Sequence, residues 1–279
     1  MYDAILRKYV LDESDGVGVP TNRRMINELD RFMAQNFRNE YYVRNALLRH
    51  FNSLYAHTSE GGTALTQLRI ADSRADFVFL NGKAIVYEIK TDRDNLERLE
   101  NQVKDYYKAF MYVSVVCGDV WLKELAARLR GTPVGLVVLE EGDRVRVVRE
   151  PRQNCETLDV DVMFDMLRRN EIDTVLRRIY GCLPNTSSVR YYALARKRFC
   201  RISLRQLYPL FMAVLKRRTG REEAFYENVP PLLSSLLYFW PKDQDFSRAV
   251  EDFLHAPYVP GKDTNPRRCR YESEVLPIF

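Results

Sequence analysis

The run "KAIVYEIK" at residues 83–90 constrains the fold more than any other stretch of this chain. Ile85, Val86, Tyr87 and Ile89 are β-branched or aromatic side chains of the kind that fill a strand in the interior of a sheet. The run ends in Glu88 and Lys90, which do not belong in such an interior. Charge buried there is costly unless a partner, a proton or a metal ion compensates it. The chain therefore needs a sheet with this strand inside it and a charged site at one end.

The flanking sequence supplies the rest of that sheet. "ALTQLRI" and "RADFVFL" read as two further strands, and Asn81-Gly82 before residue 83 is a strong hairpin signal. Upstream, residues 39–58 repeat apolar side chains at 43, 47, 51 and 54, the spacing of an amphipathic helix. Downstream, Asp94 with Glu97 forms the pattern of a capping box opening a helix whose inner stripe is Leu96, Leu99, Val103, Tyr106 and Phe110. "YVSVVC" at 112–117 is a further buried strand. A helix near 120–130, a strand at "VGLVVLE", a turn at Gly142-Asp143 and a strand at "RVRVVRE" follow. The order is helix, three strands, helix, strand and then more α/β, an α/β class with a mixed sheet flanked by helices.

After about residue 155 the pattern becomes helical, and "EPRQNCETLD" between Arg149 and Asp161 reads as a linker. Two domains are expected, an α/β domain over 21–152 and a mainly α-helical C-terminal domain over 160–279. The second is basic. Residues 165–221 hold fourteen Lys or Arg against three Asp or Glu, although the chain as a whole carries only +5. Interleaved with Tyr191, Tyr192, Phe199 and Tyr208, these cations suit a phosphate backbone with stacking contacts, or else solvated helix faces over an aromatic core.

Composition excludes other classes. Apolar residues make up 46% and charged residues 29%, ordinary values for a globular chain. No apolar stretch is long enough to span a bilayer, so no membrane partner is expected. Five cysteines, an odd number without a CxxC pair, point to a reducing cytoplasm and to small buried hydrophobes instead of zinc ligands.

The chemistry concentrates at the end of the 83–90 strand. Alternation sends Glu88 and Lys90 to one face, and Asp76 on the preceding strand can reach the same place. Two carboxylates with the backbone carbonyl of Ile89 make an oxygen site for Mg²⁺ or Mn²⁺ that leaves room for water and a phosphate oxygen. Lys90 beside them can orient the attacking water and offset charge building on phosphorus. The hairpin sets a condition. A plain two-residue turn, pairing 80 with 83, would put Asp76 opposite Tyr87, and a shift of one is needed to put it opposite Glu88.

Asp76, eleven residues, then Glu88-Ile89-Lys90 in this element order resembles the PD-(D/E)XK nuclease superfamily, the restriction-endonuclease-like fold. Gln102 and Tyr106 add a QxxxY pair similar to that of the RecB-like branch. The longer run "YEIKTDRDNLERL" is similar to an uncharacterised bacterial group within it. The resemblance covers roughly residues 40–120. It implies a metal-dependent deoxyribonuclease with Asp76, Glu88, Lys90 and Gln102 at the reacting centre, in restriction, repair or defence against mobile DNA. Cutting both strands would need a homodimer or two successive nicks. Asp92, Arg93, Arg98 and Tyr106 are candidates to hold the site or contact substrate. The sequence departs from the superfamily at Gln67, where an acid is expected, with Glu40, His57 and Glu60 as distant substitutes. That departure leaves a second reading open, a nuclease fold without turnover that binds DNA or, through its C-terminal domain, another protein.

Overall fold

A computed structural model describes residues 19–55, 61–218, 229–239 and 244–259 of the chain. It divides into two compact units, residues 33–240 and a smaller one made of residues 1–32 with 241–279.

The larger unit is built on a six-stranded sheet in the order β1 to β6: β1 (Thr63–Ile70), β2 (Ser73–Asn81), β3 (Lys83–Lys90), β4 (Tyr112–Cys117), β5 (Gly135–Leu139) and β6 (Val145–Arg149). The first three form an antiparallel meander, β4 and β5 continue parallel to β3, and β6 closes the edge antiparallel. Parallel neighbours need crossovers, which are the helices at Leu99–Tyr107 and Asp119–Arg128. The sheet is therefore mixed and flanked by helices, and β3 lies inside it, as its apolar run requires.

Alternation along the strands separates two apolar layers. On one face Phe79, Phe77 and Tyr87 surround Phe51, with ring centroids 4.6, 6.2 and 5.2 Å from it. Phe51 comes from the helix expected over 39–58. With α1 assigned to Asn22–Asn36, this is α2, Glu40–Tyr55. Val43 and Leu47 are buried with it, but Leu54 is 58% exposed and leaves the expected inner stripe. On the other face Val78, Leu80, Val86, Val113, Val115 and Leu136 join a continuous core with α3 (Leu99–Tyr107) and α4 (Asp119–Arg128).

That core runs on into α5 (Val160–Met166), α6 (Arg169–Tyr180), α7 (Ser188–Phe199) and α8 (Leu204–Lys216) through Phe164, Leu176, Phe199 and Phe211. The stretch that reads as a linker lies within this one unit. It is pinned to the connection between α3 and β4 by backbone bonds from Asn154 to Met111 (2.9 Å) and from Asp159 to Lys108 (2.7 Å). A short α9 (Ser234–Phe239) returns to α2, where the Ser235 N–H donates to Asn45 Oδ1 at 2.6 Å. In the smaller unit, most of α1 is joined to α10 (Gln244–His255) by a bridge between Thr21 and Pro257 and by bonds from Asn22 to Phe253 and Ala256.

Three expectations need correction here. α3 begins at Leu99, and its N-cap Arg98 makes no side-chain cap. Asp94 turns back and accepts from both the N–H and the hydroxyl of Thr91, each at 2.7 Å, so its carboxylate closes the turn after β3 and no capping box forms. Of the cysteines, only Cys117 is buried among those described, while Cys155, Cys182 and Cys200 sit exposed in connections or at a helix end; Cys269 lies outside the described residues. The aromatics of the basic segment also divide. Tyr191 and Phe199 are core and Tyr208 is half-buried, leaving Tyr192 exposed for stacking.

Candidate active site

The hairpin between β2 and β3 has the register that aligns the two carboxylates. Asn81 faces Lys83 across Gly82, whose φ of +64° glycine adopts without strain, and the ladder runs down to Phe77 opposite Tyr87. The next step brings Asp76 across from Glu88. Asp76 continues the ladder with its side chain, since its Oδ2 accepts the Ile89 N–H at 2.8 Å.

Glu88 and Lys90 stand on the core face of β3, on the side of α3. Lys90 Nζ donates to Glu88 Oε1 at 2.7 Å and to Gln102 Oε1 at 2.9 Å. The Tyr106 hydroxyl lies 2.5 Å from Glu88 Oε2 and 3.0 Å from the carbonyl of Arg74. Gln102 and Tyr106 are four apart, one helical turn, so α3 presents both to the end of β3. Tyr106 is fully buried and belongs to the core as well as to this cluster. The strand tolerates its terminal charges because each has these partners.

The electrostatics remain unbalanced. Burial pushes the Asp76 carboxyl up to about 8, with the charges of Glu88 and then Glu40 adding to the rise. Burial raises Glu88 too, against the opposing pull of Lys90. Two carboxylates share one ammonium, and the excess negative charge calls for a proton or a cation.

Glu40, at the start of α2, is the acid that sequence spacing leaves far from Asp76 and the fold brings near. It is held by the Gln67 side-chain amide at 2.8 Å and by Arg44 at 3.2 Å. Gln67 lies opposite Asp76 in the β1–β2 register, where the ladder is interrupted, with φ at +51°. A non-glycine residue in that region is strained, and such strain tends to gather at functional sites. Gln67 thus stands where an acid was expected and presents one from another element. His57 and Glu60 lie outside the described residues.

The remaining candidates do not join the cluster. Asp92, Arg93 and Arg98 are exposed and make no hydrogen bond to Asp76, Glu88 or Lys90. Arg93 instead covers the ring of Phe37, 4.4 Å from its centroid.

Among the described residues, no three His, Cys, Asp or Glu side chains are grouped to hold a metal ion by themselves. A divalent ion here would rest on Asp76, Glu88 and the Ile89 carbonyl, with water completing its shell. The donor set fits the manner in which Mg²⁺ keeps several waters and uses one or two carboxylates. The two raised carboxyls are the observation that supports the fit.

The fold and site define an α/β protein with a buried acid–lysine cluster at the end of an interior strand. A family model described as Bacteriophage P4 protein cII matches residues 33–231, nearly the span of the larger unit, and the chain belongs to that family. It is 29% identical over 124 residues to "Protein cII" of Enterobacteria phage P4, an alignment covering 43% of this chain. The chain spans about half the length of that curated relative, 46%. No solved structure matches it.

Proposed function

We propose that the larger unit is a PD-(D/E)XK-type nuclease with a restriction-endonuclease-like core, hydrolysing DNA phosphodiester bonds with Mg²⁺ or Mn²⁺. The single observation that carries this reading is the network joining Asp76, Glu88, Lys90, Gln102 and Tyr106, with both carboxyls raised by burial and Asp76 raised further by the charge of Glu88. Asp76, Glu88 and the Ile89 carbonyl would hold the ion, which when bound would supply Lewis-acid polarisation of the phosphate and a more acidic water. An ammonium has three N–H donors, and two of those on Lys90 are engaged. The third serves the incoming water or a phosphate oxygen. Gln102 and Glu88 fix the direction of that donor. Water oxygen adds to phosphorus, one ester oxygen departs with a proton, and the lysine offsets the charge that builds between those events.

The exposed cations of the helical segment, Arg177, Arg178, Arg190, Lys197, Arg201 and Arg205, grip the DNA backbone in this reading. The test is cleavage of supercoiled, linear duplex and single-stranded DNA with Mg²⁺ or Mn²⁺. Metal-dependent cutting is expected, with Lys90→Ala and Asp76→Asn each reducing it by about 10³-fold or more.

A second reading is favoured by Gln67. With an amide in place of an acid and no three-acid group among the described residues, the protein is a nuclease fold without turnover that binds DNA. Salt-sensitive DNA binding by a wild-type chain that cuts no substrate form would select it.

A further inference from the structure

The β1–β2 register sets Arg69 directly opposite Arg74. Residues so placed have Cα atoms about 5 Å apart and side chains on one face, and like charges there repel. Some arginines of the larger unit answer to carboxylates, as Arg49 does to Asp143, Arg146 to Glu140, Arg196 to Asp161 and Arg218 to Glu171. Arg69 and Arg74 form no ion pair among the described residues, although Asp72 lies in the turn between them. Arg69 donates only through Nε to the carbonyl of Ala71 at 3.3 Å, and the Arg74 guanidinium makes no hydrogen bond with the described residues. Both are exposed.

Their position ties them to the acid–lysine cluster. Each is two residues along its strand from the Gln67 and Asp76 level, about 7 Å. The backbone of Arg74 is anchored there, because the Tyr106 hydroxyl that touches Glu88 also lies 3.0 Å from the Arg74 carbonyl. The turn joining the two arginines is tight, with Ala71 at φ +52°. Two guanidinium groups without an ion pair, on one tight turn whose backbone is anchored beside the acid–lysine cluster, lack an anion between them.

We propose that Arg69 and Arg74 clamp a backbone phosphate of bound DNA next to the reacting one. The clamp rests on the nuclease reading. Guanidinium forks match phosphate oxygens two at a time, and the bound anion removes the repulsion that the empty pair carries. A free phosphate ion has the same chemistry, so the test separates the two sources.

The full chain is titrated against a short labelled DNA, single-stranded and duplex, in EDTA across a salt series, with inorganic phosphate in a parallel thermal-shift series. Arg69→Gln/Arg74→Gln is expected to bind about tenfold or more weakly and to lower the log–log salt slope by about 1–2, with Tm unchanged or raised. If the double variant does not fold, each single variant carries the test with a slope change of about 1. Equal affinity and slope in wild type and variant overturn the clamp, and metal-dependent cleavage by the wild type then leaves the nuclease reading standing. A phosphate-induced Tm rise confined to the wild type, with DNA binding equal in both, assigns the pair to free phosphate and also overturns it. A wild type that neither binds nor cuts DNA removes the nuclease reading and the clamp together.

Discussion

Two buried ion pairs in this molecule look alike and are built to different ends. Arg218 meets Glu171 fork to fork, at 2.7 and 2.6 Å, and Glu171 Oε2 also accepts the Arg168 N–H at 2.7 Å while Arg218 reaches the Met166 carbonyl. One cation answers one anion, with remaining donors and acceptors absorbed by backbone. Lys90 meets Glu88 at a similar depth, but Asp76 shares the same ammonium and Glu40 adds to the negative field. The first pair is closed and holds α5, α6 and the end of α8 together. The second has a surplus of negative charge and an ammonium with two of its three donors engaged.

The comparison can be broken most sharply by removing one cation from each. Arg218→Ala strands Glu171 without a counter-charge and is expected to cost about 3–5 kcal/mol of stability, read as a large fall in the urea midpoint. A loss under about 1 kcal/mol would show that this pair is not the closed structural bond described.

Asp76→Asn should act in the opposite direction on stability. The Asp76 carboxyl sits at about 8 in the folded chain, against about 4 when unfolded. The folded state thus keeps a proton that the unfolded state releases. Its contribution is full below about pH 4 and is lost as pH rises toward 8, at up to about 1.4 kcal/mol per pH unit. Metal-free wild type should lose Tm across that window, whereas Asp76→Asn should be flatter and the more stable of the two at pH 8. Saturating Mg²⁺ should flatten the wild-type profile as well, by binding the ionised form. A wild-type profile as flat as the variant's, without metal, would remove the surplus of charge from the argument.

The smallest effect belongs to Tyr106→Phe. Losing a hydroxyl 2.5 Å from Glu88 and 3.0 Å from the Arg74 carbonyl should cost about 1–2 kcal/mol and lower cleavage about tenfold, with the ring still filling the core. Unchanged cleavage would demote Tyr106 to packing alone.

Much of this was legible in the sequence, for physical reasons. Short apolar, β-branched runs are a local signal, so the runs around 64–70, 74–80 and 83–90 identify β1, β2 and β3 to within a residue or so. Strand alternation puts Glu88 and Lys90 on one face and one helical turn puts Gln102 and Tyr106 on another, while the resemblance pointed to the second pair and the packing of α3 on β3 brings the two pairs together. What sequence did not carry was tertiary or competitive. Asp94 has the type and spacing of a helix cap, and the Thr91 turn took its carboxylate first. Glu40 lies far upstream of Asp76, and only the packing of α2 and the conformation of Gln67 bring its charge to bear. The facing of Arg69 and Arg74 depends on a turn whose central residues carry no glycine. Composition at 150–159 suggests a linker, yet backbone bonds to Met111 and Lys108 bind that stretch to the connection between α3 and β4.

The Gly82 turn has a further consequence. Sliding the hairpin by one residue would do more than separate Asp76 from Glu88; it would turn the carboxylate toward the ring layer of Phe51, Phe77 and Tyr87, where nothing receives it. Misalignment is therefore punished by folding before chemistry is consulted. A lineage that abandoned catalysis would still inherit the two acids face to face, preserved by the need to keep charge out of an aromatic layer. In this architecture stability alone maintains the alignment of the two acids, so the proposed activity is tested at Lys90 and at the two arginines of the β1–β2 turn and not at that alignment.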